Sequence, residues 1–180
     1  MELDKLIYTV SYRNIKYPRI EFITGSMSLI LPYGYNPQDI LNKHKGWILK
    51  KSSFIEQCLK DSSNKALIPR TDEEFRKLVH HYIRDGSEVL KVRIRDVYFR
   101  KMKTKWASIS SRKNITMNSK MKQLPENLIR YVVFHELIHV IEHRHNERFR
   151  EIMSEKFGKH ELYDRELSAY WFRLQNSTRR

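Results

Sequence analysis

Apolar and polar positions alternate with a period of two near the start of the chain, where Leu6, Tyr8, Val10 and Tyr12 interleave with Ile7, Thr9 and Ser11. That period predicts a strand, because successive side chains of extended backbone point to opposite faces. Arg19–Ile23 and Met27–Leu31 continue the pattern around Thr24-Gly25-Ser26, which predicts a hairpin. A helix then opens with Asn36 as N-cap, Pro37 at the first helical position and Asp39 near its positive end. Ile40, Trp47, Ile48, Phe54, Ile55, Cys58 and Leu59 fall largely on one side of it. Cys58 therefore reads as a small core hydrophobe rather than a nucleophile. The polar run Asp61–Lys65 marks a boundary, and it divides the chain into an N-terminal strand and helix module, 1–66, and a larger domain, 67–180.

Beyond the boundary, Thr71 with Glu74 forms a capping-box signature ahead of the helical stripe Phe75, Leu78, Val79, Tyr82 and Ile83. His80 and His81 flank the stripe as a solvated pair, and Gly86 weakens the helix near its end. From Val92 the period shortens. Val97–Phe99, Trp106–Ser110 and Ile115–Asn118 read as short strands, with Ser111–Asn114 as a turn in which Asn114 suits a positive φ. Pro125 and Glu126 open the next helix, so the elements together predict an α+β protein.

Composition narrows the class. Five Gly, 5 Pro and 1 Cys in 180 residues exclude collagen-like, disordered and disulfide-rich chains. No stretch reaches the roughly 18 apolar residues of a membrane helix. Met1–Lys5 has no apolar run, so the expectation is a cytoplasmic protein without a secretory signal. The 35 Lys and Arg exceed the 21 Asp and Glu by 14, and the excess is local. Ten basic residues between positions 93 and 122 (Arg93, Arg95, Arg100, Lys101, Lys103, Lys105, Arg112, Lys113, Lys120 and Lys122) face one acid, Asp96. Such a run is a charged surface by default and a nucleic-acid contact by extension.

The chemistry lies in His135-Glu136-Leu137-Ile138-His139. Residues four apart on a helix share a face about 6 Å apart, so two imidazoles so placed hold one metal ion while the intervening Glu reaches a metal-bound water. Val132, Val133, Phe134, Leu137, Ile138, Val140 and Ile141 make this helix apolar almost all round. A carboxylate and two imidazoles buried there need partners, which a metal and a water supply. A catalytic zinc takes a third protein ligand. Four of the 8 histidines fall within 135–145. His143 continues the stripe but lies about 12 Å from His135 along a straight axis. His145 reaches the metal if the chain turns at His143-Arg144, and Glu161 and Glu166 are later alternatives. We favour His145, with Asn146 capping the next helix.

Tyr131–His139, followed by His145 and Phe149, resembles the core of the YgjP-like zinc metallopeptidases, relatives of the SprT and WLM metalloprotease groups. The resemblance extends to Met102–Ser110, although Ala107 and Ile109 stand where that family usually has Gly and Cys. It continues into Ile115–Asn118 and, more weakly, into the N-terminal hairpin and the helix of Trp47-Ile48. Glu142 occupies the place of the metzincin glycine and separates the chain from that clan. The resemblance implies a zincin-like catalytic domain, one Zn2+ held by His135, His139 and His145, and Glu136 as general base. It also implies a peptide or protein substrate, paired with the strand at Trp106–Ser110. His143, His160, Tyr163 and Tyr170 are the candidates for stabilising an oxyanion. Rival readings use the same motif: hydrolysis of a nucleotide phosphoanhydride, a DNA-associated SprT-like protease, and a non-catalytic module with a structural zinc.

Overall fold

The structure is a computed structural model and describes residues 7–23 and 26–177; Leu6 and the expected Thr24-Gly25 turn lie outside these. Its mixture of six strands and six α-helices is of the α+β class. The chain divides into two units, one formed by residues up to Lys65 together with those from Ser168 onward, the other by Ala66–Leu167.

In the first unit, β1 (Tyr8–Tyr12), β2 (Arg19–Ile23) and β3 (Ser26–Leu31) form a sheet of order β1-β3-β2. The central β3 pairs parallel with β1, Tyr8 opposite Met27, and antiparallel with β2, Arg19 opposite Ile30. Its alternation puts Met27, Leu29 and Leu31, all fully buried, on one face against Ile40, Leu41 and Ile48. The expected long helix is two helices, α1 (Pro37–Lys43) and α2 (Lys45–Ser63). Asn36 caps the first by accepting from the Gln38 N–H at 2.9 Å. The break falls at His44, whose N–H returns to the Ile40 carbonyl at 3.1 Å. Trp47 is half exposed, edge-on to Phe22, while Cys58 is buried with Ile55, Ala169 and Phe172.

The second unit carries the candidate chemistry. Its first helix, α3 (Asp72–Leu90), has the predicted capping box, with the Thr71 N–H donating to the Glu74 carboxylate at 2.7 Å and the Glu74 N–H to Thr71 Oγ1 at 3.2 Å. α3 packs on α4 (Glu126–Ile138) so closely that a Cβ on Gly86 would lie 2.5 Å from Leu137 Cδ1. Glycine here admits the neighbouring helix, which outweighs its cost in helix propensity.

Between these helices run β4 (Val97–Arg100), β5 (Ala107–Ile109) and β6 (Ile115–Asn118), in the order β4-β6-β5. β4 is parallel to β6 and β5 is antiparallel to it, which leaves β5 on the edge. Ser110 N–H bonds the Asn114 carbonyl at 2.9 Å and Asn118 N–H bonds the Trp106 carbonyl at 2.8 Å. Backbone groups alternate in direction along a strand, so residues 106, 108 and 110 face β6 while Ala107 and Ile109 face the open edge. In the turn between β5 and β6 the positive φ, 61°, falls on Lys113 rather than on Asn114. Asn114 instead donates its N–H to Ser110 Oγ at 3.1 Å.

The loop leading into β5 hangs on fully buried Asn118. Its amide donates to the carbonyls of Met102 and Lys105 at 3.0 and 2.7 Å, and its oxygen accepts from Met102 and Lys120 N–H at 3.3 and 3.1 Å. A buried amide with every contact satisfied makes a rigid support for the strand edge. The unit is completed by α5 (Glu147–Phe157) and the first part of α6 (His160–Ser177).

Candidate metal centre

α4 is buried on nearly every side, from Leu128 and Ile129 through Tyr131–Phe134 to Leu137 and Ile138. His135 and Glu136 occupy its last turn, and His139 is its C-cap. The helix ends four residues earlier than the stripe ending at His143 suggests, with neither glycine nor proline present. Side chains take over the capping. His139 Nδ1 lies 3.0 Å from the Glu142 carbonyl, and His143 Nδ1 lies 2.9 Å from the His139 carbonyl. The backbone tightens in step, with Val140 N–H on the Leu137 carbonyl at 3.1 Å and Ile141 N–H on the Ile138 carbonyl at 2.9 Å. The chain thus turns first at 139–141 and bends again at Arg144, beside the expected His143-Arg144 turn.

That early turn returns His145 to the helix end. His145 Nε2 stands 3.0 Å from His135 Nε2, and one ligand atom from each of His135, His139 and His145 falls within 4.8 Å of the others. His143 is exposed and is not one of the three, although it lines the cavity that they share. Phe149, near the start of α5, lies under all three imidazoles, at ring-centroid distances of 4.9, 4.9 and 4.6 Å. α5 begins beside them because Asn146 caps it, accepting from the Phe149 N–H at 3.0 Å.

The electrostatics of the cluster suit a cation. Burial, aided by the neighbouring imidazoles, pushes the His135 pKa down to about 3, and burial lowers His145 as well. Those two rings are therefore held neutral with lone pairs available, as metal ligation requires. A His139 Nδ1–H donated to the Glu142 carbonyl leaves Nε2 as the ligating atom, the usual way an outer hydrogen bond sets the tautomer. The negative end of the α4 dipole also lies at this point. Three convergent imidazoles thus fit a divalent ion of the zinc type, with a coordination position left over.

Glu136 is 8% exposed, and burial raises its pKa to about 7, against the opposing effects of the Lys105 ammonium and a hydrogen bond from the Ile109 backbone. It lines a cavity of about 730 Å³ together with His135, His139 and His145 on one side and the β5 residues Ala107, Ser108 and Ile109 on the other. Lys105 and Lys113 border the same cavity. In the sequence both lysines belong to a general basic run; the strand between them is the signal that they flank the motif.

A smaller cavity of about 220 Å³ lies across His135 and His145 and is lined also by Tyr131, His160 and Asp164. Tyr131 donates to Asp164 Oδ1 at 2.9 Å and stacks on Tyr163 at 4.7 Å. No sequence spacing signals this pairing. Of the oxyanion candidates, His143 lines the large cavity, His160 lines the small one, Tyr163 stacks on Tyr131, and Tyr170 is buried in the first unit. His80 and His81 are exposed, and His81 lies 3.3 Å from Asp85. In the basic run, Lys122 pairs with Asp72 at 2.8 Å and Arg95 with Asp96 at 3.5 Å. No helix among the described residues is long and apolar enough to cross a membrane.

Two solved structures are similar. The metallopeptidase zymogen jannalysin of Methanocaldococcus jannaschii is 24% identical at a TM-score of 0.45, over 56% of this chain and 88% of its own. The metallopeptidase zymogen abylysin of Pyrococcus abyssi is 20% identical at a TM-score of 0.42, over 56% of this chain and 93% of its own. No curated protein matches the chain. Residues 59–170 match the YgjP-like metallopeptidase domain, a span holding the histidine helix, its returning loop and the β5 edge. With most of its length inside that match, the chain belongs to the YgjP-like metallopeptidase domain family.

Proposed function

We propose that the protein is a zinc-dependent peptidase in which His135, His139 and His145 hold one ion and Glu136 is the general base. One observation carries the reading: three convergent imidazoles and a buried carboxylate share a cavity with an edge strand. When bound, zinc supplies Lewis acidity, polarising a carbonyl and bringing the pKa of a water towards neutrality. Glu136, with its pKa raised to about 7, is matched to accept a proton from the attacking water and return it to the departing amine near neutral pH. The outward N–H and carbonyl of Ala107 and the carbonyl of Ile109 offer the extended substrate a strand to pair with, while the Ile109 N–H is taken up by the base and steadies it. Burial of Glu136 keeps bulk water from competing for that proton.

A second reading, hydrolysis of a nucleotide phosphoanhydride at the same centre, draws support from Lys105 and Lys113 at the cavity. The metal-loaded protein, offered an unfolded polypeptide and a nucleoside triphosphate in parallel, distinguishes the two. Peptide hydrolysis is expected, abolished by chelation, restored by zinc, and reduced about 10²- to 10⁴-fold in Glu136→Gln with metal retained. Turnover confined to the triphosphate would replace the peptidase reading with the second one.

A further inference from the structure

Glu136 is the lone carboxylate among the residues that line the large cavity, and the reading above commits it to proton transfer. Two ammonium groups border the same space, Lys105 at the entrance to β5 and Lys113 in the turn that leaves it. Both residues are exposed. Neither forms an ion pair among the described residues, although the Lys105 ammonium acts on Glu136; Lys122 and Arg95, from the same basic run, pair with Asp72 and Asp96. Apart from Glu136, the cavity lining thus offers an incoming chain positive charge and no competing negative charge.

Their positions are fixed by backbone. The carbonyl of Lys105 accepts the amide of buried Asn118 at 2.7 Å, which anchors the residue at the mouth of the strand. Lys113 holds a φ of 61°, a conformation uncommon for a side chain with a Cβ. Its N–H on the Ser110 carbonyl at 2.8 Å and the Ser110 N–H on the Asn114 carbonyl at 2.9 Å lock the turn in that form. The strand itself is Ala107–Ile109, with a bend at Trp106 before it and the turn from Ser110 after it, so Lys105 and Lys113 stand beyond its two ends. An extended peptide paired with the open edge thus passes one cation near each end of the paired stretch.

We infer that the cleft selects acidic peptides, with Lys105 and Lys113 reading carboxylates two to three positions to either side of the bond that is cut. This inference names the substrate class of the peptidase proposed above and rests on that reading. Exposed ion pairs are individually weak, so two of them amount to a preference of roughly 3- to 30-fold. The preference shrinks with added salt, since the pairs are open to solvent.

The test is a competition. Two peptides of identical sequence, except for Glu or Lys two residues either side of the centre, are mixed with the metal-loaded protein. Their relative rates of consumption report kcat/KM directly and do not depend on how much protein is active. Faster loss of the Glu peptide is expected, with the ratio reduced in Lys105→Gln and in Lys113→Gln and inverted in the Lys105→Glu, Lys113→Glu double variant. Equal consumption, or a ratio unmoved by those changes, overturns the inference. Fluorescence anisotropy with labelled forms of the two peptides measures the same selectivity even where nothing is cleaved, an outcome that would sink the peptidase reading by itself. Tighter binding of the Glu peptide, lost in the double variant and at about 0.5 M salt, supports the inference. Equal binding, no binding, or displacement by a nucleoside triphosphate but not by excess unlabelled Glu peptide, overturns it.

Discussion

The two sheets of this protein share one plan. Each has three strands, the last in sequence lies at the centre, the first pairs with it in parallel and the second antiparallel. They differ in what the central strand and the second strand do. In the first sheet β3 buries Met27, Leu29 and Leu31 against α1 and α2, and the result is a hydrophobic core. In the second, the edge strand β5 has three residues, and Ala107 and Ile109 turn their backbone towards a cavity lined by Glu136 and four histidines. Strand order alone therefore carries no activity; the side chains brought to one edge supply it.

Three perturbations test that contrast. The largest effect is expected from His139→Ala in the second unit. It removes one of the three proposed ligands and a side chain bonded at the end of α4, so the ion should be lost on gel filtration and activity with it. Zinc retained in full by metal analysis would show that the histidine cluster is not the centre. In the first sheet, Leu29→Ala leaves a cavity in a fully buried position and should cost about 2–5 kcal/mol of stability. Denaturant unfolding should register that loss while the zinc content of the folded protein stays at its wild-type level; a fall in zinc content would break the division of labour. Ala107→Pro is the mildest. It removes one outward N–H while sparing the bonds to β6, so kcat/KM should fall roughly 2- to 10-fold, the worth of one hydrogen bond. Unchanged peptide hydrolysis in that variant would mean that substrate does not pair with the β5 edge.

Much of this arrangement is legible in the sequence where the signal is local. Alternation at the N-terminus and short strand-like runs after Val92 mark the strands, Asn36 and Thr71 mark helix starts, and the four-residue spacing puts His135 and His139 together. The end of α4 is not legible in the same way. Helix termination is commonly read from glycine or proline, and here two imidazoles bonding to nearby carbonyls take that role. His44 likewise divides the expected first helix without any breaker at the break itself. The parallel partners of β1 and β4 are separated from them by intervening strands, and no short-range pattern specifies such pairings. Gly86 reads locally as a flaw in α3 because its value lies in Leu137, fifty-one positions away. The Tyr131–Asp164 pair, thirty-three residues apart, is of the same kind.

The early turn after Ile138 has a consequence for how the protein comes to be folded. All three imidazoles lie within eleven consecutive residues, closed by one helix end and one short loop. The entropy of closing so small a loop is low, and contacts between near neighbours in sequence form before distant ones. On the proposed ligand set, an ion present during synthesis finds its complete coordination as soon as α4 and the loop to Asn146 have formed. Neither parallel strand pairing is needed first. The metal would then act as a nucleus, holding the junction of α4 and α5 while slower long-range pairing proceeds around it.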